Sequence, residues 1–288
     1  MKQIAVRVAS ALLAFIFGMT AILVWRQVRR VESSPPPVIV AKPALAQPTA
    51  TPIETAPPVP AHDREVLFGG GLKLVSNEVQ VKNESLRYEI HVIYPQIEGT
   101  DALPIRKLNK HIEWLVTHDY QWMLKPTKED LRYYKKGPHP EAFNSTYLDY
   151  EVVTANDSFL SIYFEGFSYG IGAGHSVQYS FVVNYDLAAK RLVKLADLFN
   201  PGSKYLEQIS EYCIEQLSRA EFGEWLRKNE LAPVGRNFES WNLTREGIRF
   251  NFDACKLAAC ASGKQSVEIP FSALKHTRRN HGHGLNRN

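Results

Sequence analysis

Eighteen consecutive residues without a charge, VASALLAFIFGMTAILVW, run from Val8 to Trp25 between Arg7 and Arg26. That is about the shortest helix able to cross a hydrocarbon core of ~30 Å. A cleaved signal peptide is the competing reading, but its apolar stretch is shorter and ends at a small-residue cleavage site. Here the run meets Arg26-Gln27-Val28-Arg29-Arg30, and an A-x-A triplet next occurs at Ala44-Leu45-Ala46, far downstream. Residues 1–30 therefore read as an N-terminal membrane anchor, with 8–25 in the lipid bilayer. Lys2 and Arg7 on one side nearly balance three arginines on the other, so the positive-inside rule leaves the orientation undecided.

Residues 31–62 read as a linker. From Ser33 to His62 the chain is mostly Pro, Ala, Val and Thr, with nine prolines, which neither propagate a helix nor bury a core. In polyproline II at ~3.1 Å per residue this stretch reaches up to ~90 Å from the bilayer, enough to approach a cell wall. The overall charge of +4 is unevenly placed: from Asp63 to Leu274 there are 24 Lys+Arg against 28 Asp+Glu, a net −4. A folded body of that sign lacks the basic stripe a nucleic-acid binder needs.

The remainder reads as an α+β fold, a mostly antiparallel sheet packed with amphipathic helices. Two subdomains are expected, at 63–155 and 156–275, before a disordered basic tail at 276–288. Glu89 to Tyr94 alternates as a half-buried strand that Pro95 should close. With Thr100 or Asp101 as N-cap, Ile105, Leu108, Ile112, Leu115 and Trp122 share one helical face. Phe159 to Phe164 and Val177 to Val183 read as strands, Leu206, Ile209, Cys213 and Leu217 as one face of a second helix, and Ile248 to Phe252 and Val267 to Ile269 as further strands.

EGFSYGIGAGH, Glu165 to His175, carries both a G-x-S-x-G and a glycine-rich run. A nucleophile elbow requires a helix directly after the serine, whereas the residues from Ser176 onward alternate as a strand. A phosphate loop likewise requires a following helix N-terminus. Gly166 to Gly174 is therefore expected to be a long hairpin loop whose glycines supply positive φ. Such a loop suits recognition: Phe167, Tyr169, Gly172, Gly174 and His175 are the candidate ligand-binding residues. The alternative is that its aromatics fold back over the end of the core.

Several stretches resemble a family. Gly172-Ala173-Gly174-His175, Asn184-Tyr185-Asp186-Leu187 through Lys190, Leu195-Ala196-Asp197-Leu198-Phe199, Gly247-Ile248-Arg249-Phe250 and Val267-Glu268-Ile269-Pro270-Phe271 resemble the exported domain of unknown function 3298. The stretch before it, with Tyr94-Pro95 and the helix containing Asn109, is similar to the domain 4163 that usually stands in front. The resemblance covers Leu86 to Leu274. It implies an extracytoplasmic, cell-wall setting, because relatives include a lysozyme-binding anti-sigma-factor ectodomain and the non-catalytic front part of a peptidoglycan deacetylase. It also settles the topology as a single-pass inner-membrane protein with its C-terminal domain outside. The sequence departs from the family pattern in reading Gly-Ala-Gly-His for Gly-Gly-Ala-His, and Ala188-Ala189-Lys190 for Thr-Gly-Lys. Cys255 and Cys260 stand where the family tends to have tyrosines, so a structural disulfide is favoured over two free thiols.

Metal and cofactor chemistry find little support. His111 and His118 lie seven apart without a third ligand, His281 and His283 fall in the tail, and Cys213 sits on an apolar face as a small core residue. The sequence thus reads as a non-catalytic binding domain without metal or cofactor, recognising a cell-wall glycan (peptidoglycan) or a lysozyme-type protein. The alternative is a peptidoglycan-modifying hydrolase using Glu165 and His175.

Overall fold

The strand containing Pro95 does not stop there, and the reason explains the first half of the molecule. In a computed structural model describing residues 66–67, 71–118, 120–137, 139–274 and Thr277, β3 (Tyr88–Glu98) continues past Pro95. It forms a full antiparallel ladder with β2 (Lys73–Asn83), whose start is covered by β1 (Val66–Leu67). On its other side β3 pairs with β4 (Asn144–Ala155), in parallel, over Tyr88–Val92 alone. Beyond that point Asn109 takes over, accepting from Ile97 N at 2.9 Å and donating to Ile97 O at 2.8 Å. Pro95, two residues earlier, points the same way, so its missing N–H falls where no strand needs it.

The parallel step requires a crossover, supplied by α1 (Leu103–His118), the one-turn α2 (Gln121–Leu124) and α3 (Lys128–Lys136). The α1 N-cap is Ala102, whose carbonyl receives Ile105 N and Arg106 N, rather than Thr100 or Asp101. Ile105, Leu108, Ile112 and Val116 are its buried residues. Trp122 lies beyond the end of α1, in α2, and is exposed, because the helix stops before the apolar stripe reaches it. A capping box opens α3: Thr127 Oγ1 accepts from Asp130 N, and Asp130 Oδ2 accepts from Thr127 Oγ1 and from Thr127 N, the hydroxyl first in holding the Asp130 carboxyl below the usual range.

From β4 the chain meanders through β5 (Phe159–Tyr169), β6 (Val177–Asp186) and β7 (Arg191–Leu192), completing a seven-stranded sheet in sequence order. The β4–β5 turn falls where the two subdomains were expected to divide, so paired strands span that point. One face, with Leu160, Ile162 and Phe164 of β5, packs against α1. The other meets a second layer made of α4 (Tyr205–Leu217) and a three-stranded antiparallel sheet of β8 (Trp241–Leu243), β9 (Gly247–Phe252) and β10 (Gln265–Pro270). The molecule is thus α+β with a mostly antiparallel sheet.

The loop expected at Gly166 to Gly174 is shorter and later: β5 runs to Tyr169, leaving 170–176 as the connection. Gly166 is a strand residue because the Tyr179 ring crosses over it, where a Cβ would lie 2.5 Å from Tyr179 Cζ. Thr277, expected in the tail, is held in place, its carbonyl accepting from Asn200 N and its hydroxyl donating to Gln208 Oε1. The anchor (8–25), the linker (31–62), His281 and His283 lie outside the described residues. Among the described residues, no helix is long and apolar enough to cross a membrane.

Candidate functional site

Strand alternation sends the even residues of β5 toward α1 and the odd ones toward the second layer, so one pair of strands builds two different surfaces. On the α1 side is an open cleft of about 440 Å³, lined by Trp114, Leu115 and His118 from the helix and by Ser168, Tyr179, Ser180 and Phe181 from the strands. Its floor is rigid. The Tyr179 ring lies over Gly166, Tyr179 OH is 3.2 Å from Thr146 Oγ1, and Phe181 stacks on Phe164 with centroids 4.6 Å apart. Its wall is Trp114, 57% exposed, stacked at 5.0 Å on His118 and at 6.4 Å on His111. Burial pushes the His111 imidazole below the usual histidine range. Flat aromatic surface with a few hydroxyls at its edge suits a ligand that is apolar on its face and polar on its rim.

The opposite side is mostly taken up by internal pairing, although Arg249 Nε there is buried without a hydrogen-bond partner among the described residues. Tyr163, buried and hydrogen-bonded to Ser180, has its phenol pushed up to about 12, chiefly by burial. Ser180 Oγ donates in turn to Asp253 Oδ1 at 2.5 Å. The guanidinium of Arg249 lies 5.7 Å from the Tyr163 ring centroid and is bidentate to Glu151 at 2.9 and 3.2 Å, while Lys264 approaches the same ring at 5.6 Å. Deeper in, Ser161, Asn184, Asn242 and Asn251 form a continuous buried hydrogen-bonded chain.

The expected loop residues do not converge on one point. Phe167 is on the second-layer side of β5 and 41% exposed, and Tyr169 ends the strand. Gly172, at φ +90°, fits against Tyr133 of α3, whose hydroxyl would be 2.4 Å from a Cβ there. Gly174 is in open space. His175 Nδ1 is 2.9 Å from Ser176 O. Glu165 and His175 do not form the expected pair, because Glu165 is taken by Gln178 and Lys264, opposite Ser180 in the ladder. Cys255 and Cys260 are disulfide-bonded. Cys213 is buried and its thiol is pushed up to about 12 by desolvation. Among the described residues, no group of three or more His, Cys, Asp or Glu is placed to hold a metal ion. The cleft itself was missed: its one sequence signal was Trp114, flanked at helical spacing by His111 and His118.

Comparison with known proteins sorts the chain into two segments. Residues 81–178 match the family described as deacetylase PdaC, and residues 196–272 match the protein of unknown function DUF3298. Peptidoglycan-N-acetylmuramic acid deacetylase PdaC of Bacillus subtilis (strain 168) is 27% identical over 140 residues, 48% of this chain and 30% of that protein. The alignment thus spans under a third of that relative. A solved DUF3298 member from Bacteroides fragilis NCTC 9343 superposes with a TM-score of 0.57 at 15% identity, covering 73% of this chain and 95% of its own. Another, from Pseudomonas aeruginosa PAO1, gives 0.47 at 16% identity, covering 73% and 94%. The expectation of a chain without enzymatic function is overturned by these matches, since both the front-segment family and the curated relative are named as deacetylases. The chain thus has a front segment that matches the deacetylase PdaC family model and a following segment that matches DUF3298, on the fold of a solved DUF3298 protein.

Proposed function

We propose that this chain takes part in peptidoglycan modification outside the cytoplasmic membrane, and that it receives a glycan strand in the cleft between α1 and β5–β6. The observation that carries this reading is the exposed Trp114 wall facing the Tyr179–Phe181 floor. A pyranose ring presents a patch of C–H groups that packs on an indole, and hydroxyls at its rim that Ser168 and Tyr179 can bond. The named relative acts on peptidoglycan, and Trp114, His118 and Ser168 all fall inside the PdaC-matched segment.

The test is to incubate the full chain with purified peptidoglycan, measuring co-sedimentation and released acetate together. Binding with acetate release is expected, and Trp114→Ala should weaken binding roughly tenfold, the scale of losing one stacked aromatic contact. Wild-type protein that neither sediments with peptidoglycan nor changes it sinks the proposal. The location has its own check: a reporter active only outside the cytoplasm, fused after Leu274, should be active, and a silent one removes the envelope setting.

A further inference from the structure

At the same end of the sheet as the cleft, the turn between β2 and β3 carries a cation with unmet hydrogen-bonding capacity. Arg87 has φ 57°, in the left-handed region that side chains other than glycine rarely adopt. Its backbone is fixed there from both sides: Leu86 N donates to Asn83 Oδ1 at 2.9 Å, and Arg87 O accepts from Asn144 N at 2.9 Å. Its guanidinium carbon lies 4.8 Å from the centroid of the Phe143 ring, and Lys82 Nζ lies 4.6 Å from the same centroid. Two cations are thus gathered on one aromatic ring. Among the described residues, Arg87 Nε and Nη2 are buried and without a hydrogen-bond partner, whereas Glu84, the neighbouring acid, faces Lys82 at 3.5 Å.

Leaving guanidinium N–H groups buried and unmet is costly, so such groups call for an explanation, and a bound anion is one that suits a cation. The partner chemistry follows from geometry. Nε and one terminal nitrogen form the planar edge that accepts a carboxylate with two parallel hydrogen bonds, with a lysine beside it as a second positive charge. The place is joined to the cleft through β4. Asn144, held by Arg87 O, bonds Ile171 N at the start of the glycine loop, and Thr146, two residues further on, touches Tyr179 OH in the cleft floor.

We propose that Arg87, assisted by Lys82, is a carboxylate-binding site adjoining the cleft, reading the acidic group of a ligand whose sugar ring lies against Trp114. The carboxylate chemistry stands on Arg87 itself; that its bearer is a glycan rests on the function proposed above. The acid has two possible bearers in peptidoglycan, the lactyl group of a muramic residue and the stem peptide.

The test uses the full chain in detergent micelles. Binding of N-acetylmuramic acid, which carries the lactyl carboxylate, is compared with that of N-acetylglucosamine, which lacks it. The Arg87 Nε–H signal, assigned by its loss in Arg87→Gln, is followed during titration with sodium acetate, N-acetylmuramic acid and L-alanyl-D-glutamate, against sodium chloride at equal ionic strength. The acidic sugar should bind roughly tenfold tighter than the neutral one, as charge-assisted bidentate bonds warrant. Arg87→Gln should erase that ratio while leaving N-acetylglucosamine binding unchanged, and acetate should move the signal. A larger response to the dipeptide than to the sugar acid assigns the stem peptide, and the reverse assigns the lactyl group. If Arg87→Gln does not fold, Arg87→Lys, which keeps charge and loses the fork, should shrink the ratio. Two sugars bound equally with an unmoved Arg87 overturn the site and leave the glycan reading standing. Acetate and dipeptide moving Arg87 while neither sugar binds uphold the site and sink the glycan reading.

Discussion

The two faces of β5 and β6 are built from the same strands and finished in opposite ways. Toward the second layer, polar residues are spent on one another: Ser161 with Asn184 and Asn242, Ser180 with Asp253, Glu165 with Lys264, Arg249 with Glu151. Toward α1 the strands present rings, and the helix leaves an opening beside them. Hydrogen bonds satisfied internally lock a packing arrangement, and their geometry leaves little for a ligand. A single exposed ring is ordinary on a protein surface, but Trp114 stands beside the Tyr179 and Phe181 rings in one cleft, where a ligand can meet them together. By that contrast the richer collection of charged side chains is spent on packing, and the plainer cleft is where the proposed glycan would lie.

The sharpest way to break this contrast is to damage the sealed face. Asn242→Leu removes the partners of Ser161 and Asn251 inside a buried network and should cost about 3 kcal/mol by denaturant unfolding, with peptidoglycan binding retained by the folded protein. Loss of binding at full folding would place the network in the site. Next in size, Cys255→Ser with Cys260→Ser opens a short loop on the second layer and should cost about 2 kcal/mol, again without touching binding. In native unreduced protein no cysteine should react with iodoacetamide, because the remaining thiol, Cys213, is buried and stays protonated.

The cleft side should respond in the inverse way. Ser168→Ala deletes one rim hydroxyl and should weaken peptidoglycan binding roughly threefold with an unchanged melting temperature. An unfolded variant would show Ser168 to be structural. The smallest effect concerns His111. Its folded-state value lies below the unfolded one, so its contribution to stability is whole above the unfolded range near ~6.5 and is lost as pH falls through the folded value. His111→Gln should flatten the acid limb of the melting curve by about 1–2 °C between neutral and mildly acid pH; a limb of unchanged slope would mean that His111 takes up its proton equally in the folded and unfolded states.

Much of the second layer was legible in the sequence, because its signals are local. Ile209, Cys213 and Leu217 fall on the buried side of α4 as their spacing requires, and β9 and β10 stand within a residue or two of the apolar runs that mark them. The first half was read less well. The long β2, mostly exposed, has no strict alternation to betray it, and β4 was overlooked although it is the pivot of the sheet. Pro95 misled because its harmlessness depends on where β4 stops pairing with β3, a fact about another segment. The cleft was illegible for the same reason: Trp114 and Phe181 are neighbours solely through the packing of α1 on the sheet. The glycines of the stretch expected as a loop, Gly166 to Gly174, are conspicuous in the sequence, but what Gly166 and Gly172 fit against, the rings of Tyr179 and Tyr133, is visible only in the fold.

The parallel ladder between β3 and β4 also sets the order in which the cleft can be assembled. The hairpin β2–β3 and the meander β4–β5–β6 each close between near neighbours in the chain, at small entropic cost. Tyr88–Val92 can meet Asn144–Leu148 only once the whole helical crossover has been laid down, the kind of distant contact that slows folding. Pulse-labelled hydrogen exchange should therefore protect β5 and β6 amides before those of Tyr88–Val92, and simultaneous protection would refute that order. Because α1 is clipped to β3 by Asn109 while Tyr179 and Phe181 belong to the meander, the two walls of the cleft travel on separate folding units. A nascent chain released before these units join would carry both sets of aromatic rings without the cleft between them, so a ligand that binds there as proposed would report the joining of the two units.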